Sequence, residues 1–295
     1  MKSIWKYIFG IIGLSFLALV LAGSSASDDK LHLISCDVGQ GDAILAVYKG
    51  NQILIDGGPD RRVLDCLAKY MPFWDKKIEL VILTHPQDDH YGGLVEVFRS
   101  YEVGTFVANQ VDSSTAGYRV LKNLVEASGV RVVNPTDNTS FRLGLLYLDI
   151  VHPSSALADD NKAKTGKGVL GAFTSSRDLN DYSVVAILSL GEFNALLTGD
   201  IGPNLIPEIL ARGEIDDVEY IKVPHHGSKN GLTQELLERS KPEVAVISVG
   251  RNNRYGHPHE EVLKMLSDEN IKTLRTDELG DVEIETDGDT YSIKQ

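Results

Sequence analysis

From Leu31 onward the chain alternates short apolar runs with amphipathic ones, and the period of the apolar positions separates strands from helices. Leu31 to Ser35, Ile44 to Tyr48 and Gln52 to Ile55 are apolar and bounded by Gly, Asp or Asn, which predicts three opening strands. Arg61 to Tyr70 has helical spacing, Glu79 to Leu83 reads as a buried strand, and Leu94, Val95, Val97 and Phe98 mark a further helix. Short strands at Thr105 to Val107 and Val130 to Val133 flank an amphipathic helix at Ala116 to Ala127. The second half repeats the theme, with strands at Leu145 to Val151, Ser183 to Leu190, Ala195 to Thr198, Tyr220 to Val223 and Val244 to Val249. Helices follow at Thr233 to Arg239 and His259 to Asp268, and a hairpin of Val282 to Thr286 with Thr290 to Ile293 turns at Asp287-Gly288-Asp289. No period of 20 to 50 residues is present, so residues 27–295 read as one domain. Pro153 to Asp181 is the chief irregular stretch, and its Lys162, Lys164, Lys167 and Arg177 suit either a basic lid or a surface insertion.

Several strands run directly into turns rich in metal-capable side chains. His85-Pro86-Gln87-Asp88-Asp89-His90 follows the strand ending at Leu83, a placement that presents ligands at the carboxyl end of a sheet. Asp56 ends one strand and Asp200 another, while His225-His226 follows Val223 and His257 follows the strand ending at Val249. Adjacent histidines on an extended backbone point to opposite sides. One of His225 and His226 therefore ligates, with His226 favoured, and the other meets substrate or moves a proton. Asp37, Asp42 and Asp56 are open to two readings, as turn formers or as parts of the site; Asp56 could orient a ligating His.

These blocks resemble the metallo-β-lactamase superfamily, whose H-x-H-x-D-H signature is matched by His85, Asp89 and His90. The Thr198-Gly199-Asp200 turn resembles the same superfamily, and the segment Asp37-Val38-Gly39-Gln40-Gly41-Asp42, Lys222-Val223-Pro224-His225-His226-Gly227-Ser228 and Asn180-Asp181-Tyr182-Ser183 are similar to the branch that includes the C-terminal domain of ComEC-type competence proteins. Ser248 to Pro258 resembles the last motif of the family. The resemblance covers nearly everything from Leu31 to the end and implies an αββα four-layer α/β sandwich. It implies one or two divalent cations per chain, zinc or manganese, held by His85, Asp89, His90, Asp200 and His226, with Asp200 bridging. Gln87 stands where the family has His, or Asp in this branch, and a neutral amide is a poor ligand by comparison. His152 is the nearest residue for a third ligand of the first metal. Asp89, His225 and His257 are the expected catalytic residues, and the implied chemistry is hydrolysis by metal-activated water. Arg251, Arg254, Lys222 and Lys229 flank the site in sequence and could clamp a phosphate.

Composition limits the alternatives. With 295 residues, 42% hydrophobic and 24% charged, the chain is neither disordered nor a coiled coil. Lys2 and Lys6 precede an apolar run from Tyr7 to Leu21 and the small residues Ala22 to Ser27, so residues 1–26 read as a secretory signal peptide or an uncleaved membrane anchor. Either places the domain outside the cytoplasm, secreted or anchored. Export would permit a disulfide between Cys36 and Cys66, although a small buried thiol is the commoner role for a lone Cys. The formal charge of −13 gives no global attraction for nucleic acid. A phosphodiesterase acting on a small or single-stranded substrate, such as extracellular DNA, is the leading expectation. A phosphocholine esterase acting on cell-surface polymers and a degenerate, non-catalytic binding protein are the rivals, and no protein partner is evident.

Overall fold

A computed structural model of the protein describes residues 7–15, 29–155, 157 and 170–294. The first eight strands are β1 (Leu31–Ser35), β2 (Ile44–Tyr48), β3 (Asn51–Ile55), β4 (Lys77–Leu83), β5 (Glu102–Ala108), β6 (Arg131–Val133), β7 (Ser140–Leu143) and β8 (Leu146–His152). The rest are β9 (Val185–Leu190), β10 (Phe193–Leu197), β11 (Tyr220–Lys222), β12 (Val244–Ile247), β13 (Lys272–Arg275), β14 (Val282–Thr286) and β15 (Tyr291–Lys294). They form an eight-stranded sheet of order β15-β14-β1-β2-β3-β4-β5-β6 and a seven-stranded sheet of order β13-β12-β11-β10-β9-β8-β7.

Strand alternation explains how two sheets make four layers. Leu31 and Leu33 of β1 and Leu80 and Ile82 of β4 meet Ala195 and Leu197 of β10 and Val244 and Val246 of β12 in the core between the sheets. The alternate residues of the first sheet, Ile34, Val81 and Leu83 among them, pack outward against the helices Arg62–Tyr70, Leu94–Ser100 and Ala116–Ser128. Leu196, Ile221, Ala245 and Ile247 do the same on the second sheet, against Ile206–Ala211, Gln234–Ser240 and Glu260–Asp268. This is the expected αββα sandwich. Each sheet has a parallel half, β3 to β6 in one and β10 to β13 in the other, and the carboxyl ends of those strands deliver the polar turns to one edge of the sandwich.

Several elements escape the sequence pattern, two edge strands and a short helix among them. β7 and β13 are the edge strands of the second sheet, half exposed along their length, so they carry polar residues and no apolar run. The helix Ile206–Ala211 is only six residues long, too short for its spacing to stand out. Lys162, Lys164 and Lys167 lie outside the described residues, while Arg177 is exposed on the described part of that stretch. Of the N-terminal segment only residues 7–15 are described; they are helical, and no helix among the described residues is long and apolar enough to cross a membrane.

The buried-thiol reading of the cysteines gives way to the disulfide. Cys36, just beyond β1, is bonded to Cys66 of the helix Arg62–Tyr70 with a Cα–Cα distance of 5.9 Å. The bridge spans 30 residues of sequence and pins the loop that follows β1 to the outer helix layer. Closing a loop of that size removes conformational freedom from the unfolded chain worth about 2–4 kcal/mol. Cys66→Ser is therefore expected to lower the unfolding free energy by that amount in denaturant titration; unchanged stability would show that the bridge does not constrain the unfolded chain.

Candidate metal centre

Five turns converge at the shared edge. β3 ends in Asp56, β4 in Thr84 and His85 followed by Asp89 and His90, β10 in Asp200, and β11 in His225 and His226, while the loop from β1 to β2 supplies Asp42. The turns approach so closely that only glycine fits: a Cβ on Gly93 would lie 1.9 Å from the Gly57 carbonyl oxygen. The Gly57 N–H donates to the His90 carbonyl at 2.7 Å and so holds the Asp56 turn against the one bearing His90.

Asp56 organises the first layer of the cluster. It accepts the Thr84 backbone N–H at 2.8 Å, the Thr84 hydroxyl at 2.7 Å and the His90 Nδ1–H at 2.7 Å. The Thr84 hydroxyl has one proton and gives it to Asp56, so at 3.0 Å from His85 Nδ1 it acts as acceptor. His85 Nδ1 is thus the protonated nitrogen, and its buried Nε2 carries a lone pair with no hydrogen-bond partner. Burial first, then the neighbouring His90, pushes the His85 pKa down to about 3, which keeps that lone pair free.

The remaining groups close around Asp200. His90 Nε2 and His226 Nε2 each lie 3.2 Å from its Oδ2, and His226 Nε2 is 3.5 Å from Asp89 Oδ2. His226 Nδ1 donates to the Ser248 carbonyl at 3.0 Å, which leaves its Nε2 facing the acids. The other oxygen of Asp200 is held by Lys222 at 3.2 Å, and the same ammonium pairs with Asp42 and donates to the Gly199 carbonyl at 2.8 Å. Burial disfavours the charged form of Asp200, but His226, His90 and Lys222 outweigh it and hold the carboxyl well below its usual range. Burial likewise opposes charge on His90 and His226, and Asp200 with Asp56 or Asp42 overrides it, so that both imidazoles sit well above their usual range. The cluster therefore demands positive charge, which protons or a divalent cation can meet.

The donor set fits a cation. His85, His90 and Asp200 have ligand atoms within 4.8 Å of one another, as do Asp89, His90 and His226, and as do Asp42, Asp200 and His226. His90 offers only Nε2, because Nδ1 is committed to Asp56, so it serves one ion.

The structure brings together His85, Asp89, His90, Asp200 and His226 of the residues singled out from the sequence. Two others stand apart. His152 is buried with Nε2 3.0 Å from the Asp181 carbonyl and belongs to none of these groups. Gln87 turns its amide to Asn180 Oδ1, donating at 2.8 Å. His225 and His257 line the cavity over the cluster, their ring centroids 5.9 Å apart. His225 and His226 are separated by a left-handed backbone, φ 52° and 54°, and not by the alternation of an extended strand. The phosphate role expected of Lys222 is excluded, since this ammonium is fully buried between two aspartates. Arg251 turns to the Asp277 carbonyl, and Lys229 is exposed and off the cavity; Arg254 lines it. Asp37 is a turn former, accepting the Gly39 N–H, whereas Asp42 belongs to the cluster. Ser183, noted in the sequence only as part of the Asn180–Ser183 motif, accepts the Asp200 N–H with its hydroxyl at 3.1 Å, and Arg62, which the sequence did not single out, reaches the cavity from the outer helix.

Two helix-covered sheets that present His and Asp at their carboxyl edge define the architecture of a metal-dependent hydrolase. The model of the metallo-beta-lactamase superfamily matches residues 36–251, and the chain belongs to that superfamily. It is 26% identical over 276 residues to ComE operon protein 3 of Bacillus subtilis (strain 168), covering 88% of this chain and 33% of that protein. It is also 26% identical over 297 residues to Recombination protein 2 of Haemophilus influenzae, covering 99% of this chain and 33% of the relative. These relatives are ComEC-like competence proteins, and the chain spans about a third of their length (33%). Among solved structures, the metallo-beta-lactamase fold protein YhfI from Bacillus subtilis aligns with a TM-score of 0.52 at 12% identity, over 84% of this chain and 96% of that one.

Removing the Lys222 charge should unbalance the cluster, because Asp42 and Asp200 stay buried without it. Breaking a buried pair from one side costs about 3–5 kcal/mol. Lys222→Met is expected to lose that much stability in chemical denaturation. A loss below about 1 kcal/mol would mean that Lys222 does not neutralise these acids.

Proposed function

We propose that this protein is an exported, metal-dependent phosphodiesterase. The observation that carries the reading is the convergence of His85, Asp89, His90, Asp200 and His226 beneath an open cavity of about 590 Å³ lined by His225, His257 and Arg254. A divalent cation, zinc or manganese, would lower the pKa of water towards neutrality and polarise a phosphoryl oxygen. The chain's own residues supply the geometry: Asp56 orients His90, Lys222 fixes one oxygen of Asp200, and Ser248 fixes His226. His225 and His257, on the cavity wall, are placed to pass a proton to the leaving oxygen. Export is supported by the apolar run Tyr7 to Leu21 and by the Cys36–Cys66 disulfide, which suits an oxidising compartment. The same run would serve either as a cleaved signal or as a membrane anchor, and the substrate would be extracellular DNA or a cell-surface phosphodiester.

One observation favours a second reading, a binding protein on a degenerate site: the Gln87 amide is engaged by Asn180. Hydrolysis of bis(p-nitrophenyl) phosphate separates the two. The phosphodiesterase reading expects turnover that a chelator abolishes, with Asp56→Asn lowering it roughly 10- to 100-fold through loss of His90 orientation. The binding reading expects no turnover from the natural sequence and a gain of bound metal in Gln87→Asp.

A further inference from the structure

The sandwich has a second edge, opposite the metal centre. β1 is antiparallel to β2 and β2 to β3, while β3 is parallel to β4, so β1, β3 and β4 all begin there. Phe73 and Trp74 stand at that edge, in the turn before β4. Phe73 is 81% exposed, the most exposed large apolar side chain among the described residues, and Trp74 is 48% exposed. Their rings meet edge to face, with centroids 4.8 Å apart. The turn that carries them is braced on the strand starts. The Asp75 N–H donates to the Pro72 carbonyl at 2.9 Å, and the Lys76 carbonyl accepts the Glu102 N–H at 2.7 Å. The Asp75 carboxylate accepts from Gln52 Nε2 and from the Lys77 N–H, each at 3.1 Å. Leu145, exposed at the turn into β8, lies at the same edge of the second sheet, because β8 runs in the direction of β10.

The chain also enters the domain at this edge. Asp29 pairs with Lys49 of the turn between β2 and β3 at 2.9 Å, and β1 starts two residues later. Three strand spacings, about 14 Å, separate β1 from β4. Seven residues stand between Leu21, the end of the apolar run, and Asp29. Fully extended, that link spans at most about 28 Å.

We infer that Phe73 and Trp74 dip into the interfacial layer of a lipid bilayer, so that the amino edge of the sandwich rests on the membrane and the metal centre faces away from it. The inference rests on the reading of Tyr7 to Leu21 as a membrane anchor and adds a second point of contact to it. Aromatic rings, Trp above all, favour the membrane–water interface, where an apolar face meets the acyl boundary and the polar tip stays wet. A braced turn brings the two rings there with little conformational freedom left to lose. Two rings alone bind a bilayer weakly, and a short link to an anchor at the same edge keeps them at high effective concentration. Charge does not drive the contact. Lys30, Lys49 and Lys77 are paired with Glu285, Asp29 and Glu79, and the acidic turn Asp287 to Asp289 lies at the same edge. A second copy is the poorer occupant, because two aromatic side chains cover at most about 500 Å², short of the roughly 800 Å² that each partner of a stable interface buries.

The tryptophans of the chain are Trp5 and Trp74, so Trp5→Phe leaves Trp74 as the single indole emitter of the full-length protein. With vesicles of phosphatidylcholine and a minority of phosphatidylglycerol, its emission should move to shorter wavelength and be quenched roughly twofold or more by lipids brominated near the headgroup. The quenching should persist in about 1 M salt, where the Debye length is about 3 Å. Phe73→Asp should remove most of it and leave the unfolding midpoint in denaturant unchanged. Quenching in a chain that washing strips from the vesicles keeps the aromatic contact and removes the anchor. Unquenched Trp74 in a chain that sediments with the vesicles keeps the anchor and overturns the contact; unquenched Trp74 in a chain that does not sediment overturns both. Quenching that salt abolishes, or a shift that grows with protein concentration and needs no lipid, also overturns the contact.

Discussion

Burial of several carboxylates in one place is the constraint on which the rest of this structure depends. Asp42, Asp56 and Asp200 are almost fully withdrawn from water, and Asp89 stands at the rim. Ionised carboxylates so placed are tolerable only with opposite charge and hydrogen bonds among them. Lys222 meets part of the demand, and His90 and His226 meet more as cations. A divalent ion would replace those protons, and the unpartnered lone pair on His85 Nε2 is one that such an ion would take.

The fold exists around that demand. Two parallel half-sheets aim the carboxyl ends of β3, β4, β10, β11 and β12 at one edge, so residues distant in sequence meet there. The close passage of Gly93 over Gly57 and the Asp56 bonds to Thr84 and His90 make the turns mutually dependent. Through the Thr84 hydroxyl, that hydrogen-bond chain decides which nitrogen of His85 stays free.

Much of this was legible in the sequence because strands followed by His and Asp at fixed spacing are local signals. His85, Asp89, His90, Asp200 and His226 all lie within such blocks, and the two-sheet sandwich is what the resemblance of those blocks to the superfamily implies. What the sequence hid is pairing across the fold. Whether Asp42 caps a turn or joins the cluster depends on Lys222, which is 180 residues away in the chain and reads locally as an ordinary charge at the end of a strand. His152 was a plausible ligand by position, yet its bond to the Asp181 carbonyl takes it elsewhere. Edge strands such as β7 and β13 lack an apolar signature because one flank meets solvent.

The central claim is that the acids and histidines at the shared edge hold a divalent cation. Elemental analysis of the full-length protein, after incubation with zinc or manganese and removal of excess, tests it most directly. The account predicts one or two equivalents per chain, falling in Asp200→Asn. A protein that folds with its disulfide formed and retains no zinc or manganese would contradict it.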